Sequence, residues 1–149
     1  MKEKVLFLCI HNSARSQMAE AYLKKFGADY FIADSAGLEP GTLNPLVVEV
    51  MKEEGIDISN NPAKDVFEYF KQGKIFNYVV TVCDAASAER CPIFPGITEK
   101  IAWSFADPSQ FTGTHEEKLV RTKTVRDDIK KHVLDFISKS KNQSENGSN

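Results

Sequence analysis

A continuous apolar run near the N-terminus places the strongest limit on how this chain can fold. Every residue of Val5–Ile10 is apolar, and a run without polar alternation is typical of a strand that is buried on both faces of a sheet. The run ends at the polar segment His11–Ser13, and a helical pattern over Ala14–Phe26 follows directly. A strand that leads through a short polar loop into a helix is typical of α/β proteins.

The alternation of strand and helix patterns continues along the rest of the sequence. Further strands are predicted at Tyr30–Ala33, Tyr78–Cys83 and Lys100–Trp103, and further helices at Pro45–Met51, Val66–Phe70 and Leu119–Phe136. Asn44 precedes Pro45 and suits the N-cap position of the second helix. This alternation predicts an α/β fold in which helices cover both faces of a parallel sheet, that is, a three-layer sandwich.

The size and composition of the chain are compatible with one domain. Its 149 residues, of which 42% are hydrophobic, can form a substantial core. We predict a single catalytic domain over residues 1–138 and a disordered tail over residues 139–149, where the sequence is polar and rich in Ser, Asn and Gly. A monomer is expected, since nothing in the sequence marks a subunit interface. The net charge of -2 and the lack of a clustered basic stripe argue against nucleic-acid binding.

The apolar run and the cysteine count also bear on the cellular compartment. The six residues of Val5–Ile10 are fewer than the roughly 7–15 of a secretory signal or the roughly 20 of a membrane span. Three cysteines are an odd number, which fits a reducing compartment better than a disulfide framework. We therefore expect a cytoplasmic protein without a membrane segment.

The segment Cys9–Ser16 joins the first predicted strand to the first helix and carries the candidate chemistry. A loop in this position can turn its backbone N–H groups inward as an anion-binding nest beside a helix N-terminus. The residues that would bind an oxyanion in this way are Ile10, His11, Asn12, Ser13, Ala14 and Arg15. The same field favours a nucleophilic thiolate at Cys9, and the Arg15 guanidinium can hold two oxygens at once. Ser16 can donate a hydrogen bond to the sulfur. The structural alternative is a buried Cys9 beside a solvated Arg15.

Two further cysteines, Cys83 and Cys91, suggest a relay of thiols. Cys83 ends the third predicted strand as Cys9 ends the first, and parallel sheets bind ligands beyond the carboxyl ends of their strands. If these strands are neighbours, the two cysteines lie about 5 Å apart laterally, within reach of a disulfide. A helix over residues 83–91 would separate Cys83 from Cys91 by about 12 Å, so this pair requires unwinding. The alternative is a buried Cys83 and an incidental Cys91. The spacings do not match a zinc site, and no metal is predicted from them.

At these residues the chain resembles the thioredoxin-coupled arsenate reductases, which share their fold with the low-molecular-weight tyrosine phosphatases. The resemblance runs from about Val5 to Phe136 and depends on several motifs in one order. They are Cys9–Ser16, Gln17–Glu20, Ser35–Gly37, Leu43–Pro45, Met51–Ser59, Val79–Cys83, Cys91–Pro92 and Asp107–Pro108. The resemblance implies that the parallel sheet has four strands.

The resemblance also implies a reaction and a role for each cysteine. Cys9 would attack arsenate while Arg15 and the loop amides hold its oxygens, and Asp107 would protonate the leaving oxygen. Cys83 would then attack the arsenic adduct of Cys9, releasing arsenite and leaving a Cys9–Cys83 disulfide. Cys91 would next attack Cys83 and pass the disulfide to thioredoxin or a similar thiol reductant.

The resemblance implies no required cofactor, but some relatives hold a potassium ion beside the loop. The residues that match this ion site are Asn12, Glu20, Ser35 and Asp65. One extra residue precedes Asp65 compared with the family pattern, and the chain departs from the family at three further places. Seven residues rather than six separate Cys83 from Cys91, His11 replaces a small residue, and Ala14 replaces a cysteine that some members carry.

Two other functions remain open from the sequence. A low-molecular-weight tyrosine phosphatase would use Cys9, Arg15 and Asp107 in the same way and would resolve a phospho-cysteine with water. Such phosphatases usually carry tyrosine after Asp-Pro, where this chain has Ser109, and they do not need Cys91. Asp107 also has a structural interpretation, because Asp before Pro commonly opens a turn. A redox-sensing or anion-sensing module would bind its ligand without turnover.

Overall fold

Four strands form one sheet in which all neighbouring strands are parallel. The computed structural model describes residues 2–83 and 89–147. The strands are β1 (Glu3–Cys9), β2 (Phe31–Gly37), β3 (Tyr78–Thr81) and β4 (Glu99–Ala102), in the spatial order β2-β1-β3-β4. The predicted α/β fold with a four-stranded parallel sheet is thus confirmed.

The observed strand bounds differ from the predicted ones most clearly at β2. This strand continues past Ala33 to Gly37 through two polar residues. Asp34 accepts a hydrogen bond from the Tyr69 hydroxyl at 2.9 Å, and the Ser35 side chain is fully buried with polar partners. Polar residues can therefore continue a strand where packed elements satisfy them. β3 ends before Cys83, and β4 begins one residue earlier than predicted.

The described residues contain four α-helices. They are α1 (Arg15–Phe26), α2 (Pro45–Lys52), α3 (Val66–Lys71) and α4 (His115–Gly147), and a short 3₁₀ helix spans Pro108–Gln110. The predicted N-cap of α2 is confirmed, because Asn44 Oδ1 accepts from the Leu46 N–H at 2.9 Å. Ala14 occupies the N-cap position of α1, and its methyl group leaves the first N–H groups of that helix to other acceptors. None of the helices within residues 2–83 and 89–147 is long and apolar enough to span a membrane.

The two faces of the sheet are covered by different elements. Val5 and Phe7 of β1 share a buried cluster with side chains of α1, α2 and α4, here called the first core. Leu6 and Leu8 point to the other face and cluster with side chains of α3 and with Phe94, here called the second core. Consecutive β1 side chains alternate between the two cores, which explains why the N-terminal run is apolar throughout.

Helix α4 continues through residues 139–147, where the sequence predicts a disordered tail. Lys139 Nζ contacts Asp135 Oδ2 at 3.0 Å, and Lys141 Nζ lies 5.3 Å from the centre of the Tyr30 ring. Such contacts one turn apart and to an aromatic ring favour helix in a segment whose composition is polar. The helix extends past residue 138, and the division into a catalytic domain over residues 1–138 and a disordered tail over residues 139–149 stays a prediction.

Candidate active site

The Cys9–Arg15 loop leaves β1 and enters α1 at the carboxyl end of the sheet. Its carbonyls face outward, toward the segment that follows β2. The carbonyls of Cys9, Ile10, His11 and Ser13 accept hydrogen bonds of 2.8–3.2 Å from the N–H groups of Leu38, Glu39, Gly41 and Asn44. A trans peptide directs its N–H opposite to its C=O, so the amides that follow these carbonyls turn to the inner side of the loop. This is the arrangement that an anion-binding nest requires.

The Cys9 sulfur lies among hydrogen-bond donors. Cys9 is 3% exposed, the Asn12 N–H donates to its Sγ at 3.1 Å, and Ser16 Oγ lies 2.8 Å from the same atom. Asn12 adopts a φ of 53°, a left-handed conformation that Asn tolerates, and its Nδ2 donates to Ser16 Oγ at 2.8 Å. Hydrogen bonds of this kind stabilise negative charge on the acceptor. The sulfur is therefore not enclosed in hydrocarbon alone, although Cys9 belongs to the first core.

The lack of a side chain at Gly37 allows the Cys9–Arg15 loop to pack directly against the end of β2. A Cβ atom on Gly37 would lie 2.7 Å from the Ile10 carbonyl oxygen and 2.8 Å from the Asn12 amide nitrogen, so the backbone would have to move. The Gly37 N–H donates to the Lys64 carbonyl at 2.8 Å. The end of β2 is thus packed directly between the loop and the segment before α3.

The Gln17 side chain stabilises the turn at Asn12 through hydrogen bonds. Its side chain is fully buried, and its Nε2 lies 3.2 Å from both the backbone and the side-chain oxygen of Asn12. The same nitrogen donates to the Pro62 carbonyl at 3.0 Å, and Gln17 Oε1 accepts from Asn61 Nδ2 at 3.3 Å. One buried side chain therefore joins the loop to residues 61–64.

A line of polar side chains continues from Asn12 to a buried carboxylate. Asn12 Nδ2 donates to Ser35 Oγ at 2.9 Å, and Ser35 Oγ donates to Glu20 Oε1. Glu20 is 2% exposed. Lys64 Nζ lies 3.0 Å from Glu20 Oε1, and Lys24 Nζ lies 2.6 Å from Oε2. The carboxylate behind the loop therefore contacts two ammonium groups.

The structure does not support the potassium site predicted at Asn12, Glu20, Ser35 and Asp65. Asp65 is the N-cap of α3 and accepts from the Phe67 N–H at 2.9 Å. The Glu20 carboxylate contacts the ammonium groups of Lys24 and Lys64. Within residues 2–83 and 89–147, no three His, Cys, Asp or Glu side chains are grouped as metal ligands.

Arg15 points toward the segment that carries Asp107. Arg15 is 8% exposed, its Nη1 donates to the Phe105 carbonyl at 3.2 Å, and its Nη2 lies 3.5 Å from Asp107 Oδ2. Its Nε is buried without a hydrogen-bond partner among the described residues. A buried donor without a partner is costly, and in this position it is a donor that an oxyanion in the loop can use.

Asp107 makes the turn that its sequence predicts and also reaches the site. Its Oδ1 accepts from the Ser109 N–H at 3.0 Å and from the Ser109 hydroxyl at 2.8 Å, which caps the 3₁₀ helix. Its Oδ2 faces Arg15. The structural and the functional interpretation of Asp107 are thus compatible, because each uses a different carboxylate oxygen.

Cys83 follows β3, which is the direct neighbour of β1 as the sequence analysis assumes. The ladder between them ends at the pair Leu8 and Thr81, and the Val82 N–H donates to the Leu8 carbonyl at 2.9 Å. Cys83 Sγ lies 4.0 Å from that carbonyl oxygen. Cys83 and Cys9 are both buried and both belong to the first core.

Cys91 lies on the opposite face of the sheet. It packs against the second core and lines a cavity of about 160 Å³ together with Val79, Thr81, Lys100, Ile101 and Ala102. Burial raises the pKa of the Cys91 thiol, and the nearby charge of Lys100 lowers it by less. The three cysteines form no disulfide, and residues 84–88, which a helix over residues 83–91 would include, lie outside the described residues.

The structure pairs Cys9 with Ser16 and Arg15 with Asp107, places Cys83 beside β1, and leaves Cys91 on the opposite face of the sheet. It also shows three supporting residues that the sequence analysis did not assign: Gly37, Gln17 and Lys64. Gln17 carries a signal, because it stands four residues before Ala21 on the apolar face of α1. Lys64 carries none, because its partners are distant in sequence.

Curated relatives of this chain are arsenate reductases over nearly their whole length. The arsenate reductase of Halalkalibacterium halodurans is 41% identical over 140 residues, which covers 94% of this chain and 99% of the relative. The arsenate reductase of Bacillus subtilis is 41% identical over 145 residues, which covers 95% of this chain and 100% of the relative. The similarity therefore extends over nearly the whole chain.

Solved structures with the same fold include three arsenate reductases. One in the phosphate binding state has a TM-score of 0.74 at 31% identity and covers 93% of this chain and 98% of its own. One in the oxidized state has a TM-score of 0.77 at 29% identity, with coverages of 92% and 98%. A thioredoxin-dependent arsenate reductase of Corynebacterium glutamicum has a TM-score of 0.61 at 26% identity, with coverages of 89% and 62%.

The sequence pattern of one protein family matches almost the entire chain. It is described as low molecular weight phosphotyrosine protein phosphatase, and the match spans residues 4–146. The matched range contains the Cys9–Arg15 loop, the sheet and Asp107. This chain belongs to the low molecular weight phosphotyrosine protein phosphatase family.

Proposed function

We propose that this protein is an arsenate reductase that uses a thiol relay and is reduced by thioredoxin or a similar dithiol protein. One observation carries the proposal: a cysteine sulfur with two hydrogen-bond partners lies on the inner side of an amide-lined loop. That site is built to hold a tetrahedral oxyanion against a nucleophile. The arsenate reductases among its relatives favour arsenate as the oxyanion.

In the first step, the loop amides and Arg15 bind the arsenate oxygens, and the Cys9 thiolate attacks arsenic. A sulfur–arsenic bond forms and one arsenic–oxygen bond breaks. Protonated Asp107 gives its proton to the leaving oxygen, which departs as water. Asp107 lies close enough for this role, because its Oδ2 is 3.5 Å from the Arg15 guanidinium that would hold the oxyanion.

In the second step, the Cys83 thiolate attacks the Cys9 sulfur. A sulfur–sulfur bond forms, the sulfur–arsenic bond breaks, and its electron pair stays on arsenic. Arsenic is thereby reduced from the pentavalent to the trivalent state and leaves as arsenite, while two thiols are oxidised to one disulfide. The burial of Cys83 in the same core as Cys9 supports this step.

In the last step, the Cys91 thiolate attacks Cys83 and releases Cys9 as a thiolate. The resulting Cys83–Cys91 disulfide is then reduced by an external dithiol, as the thioredoxin-dependent relative suggests. Because Cys91 packs against the second core, it has to leave its cavity before it can reach Cys83.

Phosphatase activity is the second candidate, and the shared loop supports it as a side reaction. Cys9, Arg15 and Asp107 suffice for phosphate ester hydrolysis. Cys83 and Cys91 have no role in such chemistry, yet Cys83 is buried beside the strand that carries the nucleophile. This placement favours the reductase.

The deciding experiment measures arsenite release with thioredoxin, thioredoxin reductase and NADPH, in the wild type and in Cys83→Ser and Cys91→Ser. We expect Cys83→Ser to release no arsenite and Cys91→Ser to stop after one turnover. Hydrolysis of p-nitrophenyl phosphate is the matched control, since both variants keep the oxyanion loop. Repeated turnover of arsenate in both variants would disprove the relay. Ester hydrolysis without arsenite release would identify a phosphatase, and binding without either reaction would identify a sensor.

A further inference from the structure

The buried carboxylate behind the oxyanion loop needs a compensating positive charge. Glu20 is 2% exposed, and an ionised carboxylate without a partner is very unfavourable at that depth. It lies at the end of the line of side chains that runs through Ser35 to Asn12, the residue whose N–H contacts the Cys9 sulfur. The charge on Glu20 is therefore coupled to the shape of the loop.

Lys64, whose side chain is partly buried, supplies this positive charge. Its Nζ lies 3.0 Å from Glu20 Oε1 and 3.4 Å from Asp34 Oδ1, and its side chain is 22% exposed. Lys24 contacts the other Glu20 oxygen, but its side chain is 59% exposed. An exposed lysine is screened by water and contributes less than a partly buried one.

The backbone of Lys64 is fixed by the same residues that shape the loop. Its N–H donates to Asn12 Oδ1 at 2.9 Å, and its carbonyl accepts from the Gly37 N–H at 2.8 Å. The backbone from which the Lys64 side chain extends is thus fixed by two hydrogen bonds. Lys64 contacts the loop through its backbone and the carboxylate behind the loop through its side chain.

The donors that would bind a monovalent metal ion here already have other partners. Asn12 Oδ1 accepts from Lys64 and from Gln17, and the Ser35 hydroxyl donates to Glu20. Asp65 caps α3. With Lys64 in place these oxygens already have hydrogen-bond partners or an ammonium group beside them, so the residues present do not fit a potassium ion.

We infer that the Lys64 ammonium is the built-in counter-cation of the oxyanion loop and makes a bound monovalent metal ion unnecessary. Lys64 is therefore a positioning residue, which acts on Cys9 through Glu20, Ser35 and Asn12. The role of Lys64 in the structure does not depend on the proposed reaction. The expected effect of Lys64 on arsenate binding rests on the proposed function.

The test compares melting temperatures in KCl and in choline chloride at equal ionic strength, for the wild type and for Lys64→Met. We expect the wild type to melt at the same temperature in both salts. Lys64→Met should melt about 10 °C lower in choline chloride, because the buried carboxylate then keeps the exposed Lys24 as its ammonium partner but loses the partly buried one, and KCl should restore part of the loss. The arsenate KM of Lys64→Met should follow the same salt dependence.

Lys24→Met is the matched control, because it removes the exposed lysine from the same carboxylate and should show little salt dependence. Lys64→Arg keeps the charge and serves if Lys64→Met does not fold. Specific stabilisation of the wild type by KCl would overturn the inference, as would equal behaviour of Lys64→Met and Lys24→Met. Because melting is measured without arsenate, a failure of the proposed reaction would leave this result unaffected.

Discussion

The surroundings of Cys9 and of Cys91 differ in a way that separates two parts of the proposed reaction. Cys9 Sγ has hydrogen-bond partners at 2.8 and 3.1 Å, and four carbonyls of its loop are fixed by the segment after β2. Cys91 Sγ has a contact of 3.4 Å to the carbonyl of its own neighbour, Pro92. The first thiol is held in a rigid polar frame, and the second lies at the edge of an apolar core.

This difference shows that one small domain can combine a preorganised site with a stored thiol. Capture of the oxyanion benefits from donors that are already aligned, because no reorganisation is then needed during the reaction. Burial raises the pKa of Cys91, so this thiol stays protonated and weakly nucleophilic while it occupies its cavity. Rigidity is therefore expected to matter for the first step, and displacement for the last.

Among the substitutions that test the rigid loop around Cys9, Gly37→Ala is expected to have the largest effect. The new methyl group would meet Ile10 and Asn12 backbone atoms at 2.7–2.8 Å, so the loop has to shift by a substantial fraction of an ångström. A displacement of about 1 Å can cost about 100-fold in rate, and we expect a loss of this size in single-turnover arsenate reduction. Single-turnover kinetics with stoichiometric arsenate would measure it.

Gly41→Ala is the matched control for this substitution. Its Cβ would lie 3.4 Å from His11 Cβ, an ordinary van der Waals distance, and we expect activity near that of the wild type. Full activity in Gly37→Ala would show that the loop does not need the geometry described here.

A smaller effect is expected from Gln17→Leu, which tests the support behind the loop. The substitution leaves the Asn12 oxygens without the donor at 3.2 Å, and the loss of one partner of a buried polar group costs about 1–3 kcal/mol. We expect a melting temperature several degrees lower, at about 2–4 °C per kcal/mol, and about a tenfold lower rate of oxyanion capture. Asn61→Ala removes only the outer contact of Gln17 and should have little effect on the rate, so equal losses in both variants would contradict the role of Gln17.

The fold could be predicted from the sequence, because strands, helices and caps leave patterns within short segments of the chain. The apolar run of β1 reflects burial in two cores, and the Asn44 cap is formed within two residues. The position of the nucleophile follows from the same logic, since a cysteine that ends a parallel strand lies at the binding edge of the sheet.

The supporting contacts of the site could not be predicted in this way. Lys64 meets Glu20 across 44 residues and Asn12 across 52, and no periodic pattern records such a pair. The structure does not support the predicted potassium site for the same reason, because the sequence pattern shows which oxygen-bearing residues are present but not which partners they face. The face of the sheet on which Cys91 packs also depends on the tertiary fold.

The smallest predicted effect concerns the stored thiol and its response to pH. In Cys9→Ser/Cys83→Ser, where Cys91 is the remaining cysteine, the rate of alkylation by iodoacetamide reports the thiolate fraction of Cys91. Because burial raises the pKa of Cys91 above its ordinary value of 9.0, the rate of alkylation should rise at a higher pH in the folded protein than in urea.

Lys100→Met should lower the rate of alkylation at a fixed pH by about twofold, since Lys100 acts on the thiol through a partly screened charge. Lys123→Met, which removes a lysine that pairs with Glu53, should leave it unchanged. A folded profile that coincides with the urea profile would mean that Cys91 is already exposed, and the contrast between the two thiols would then disappear.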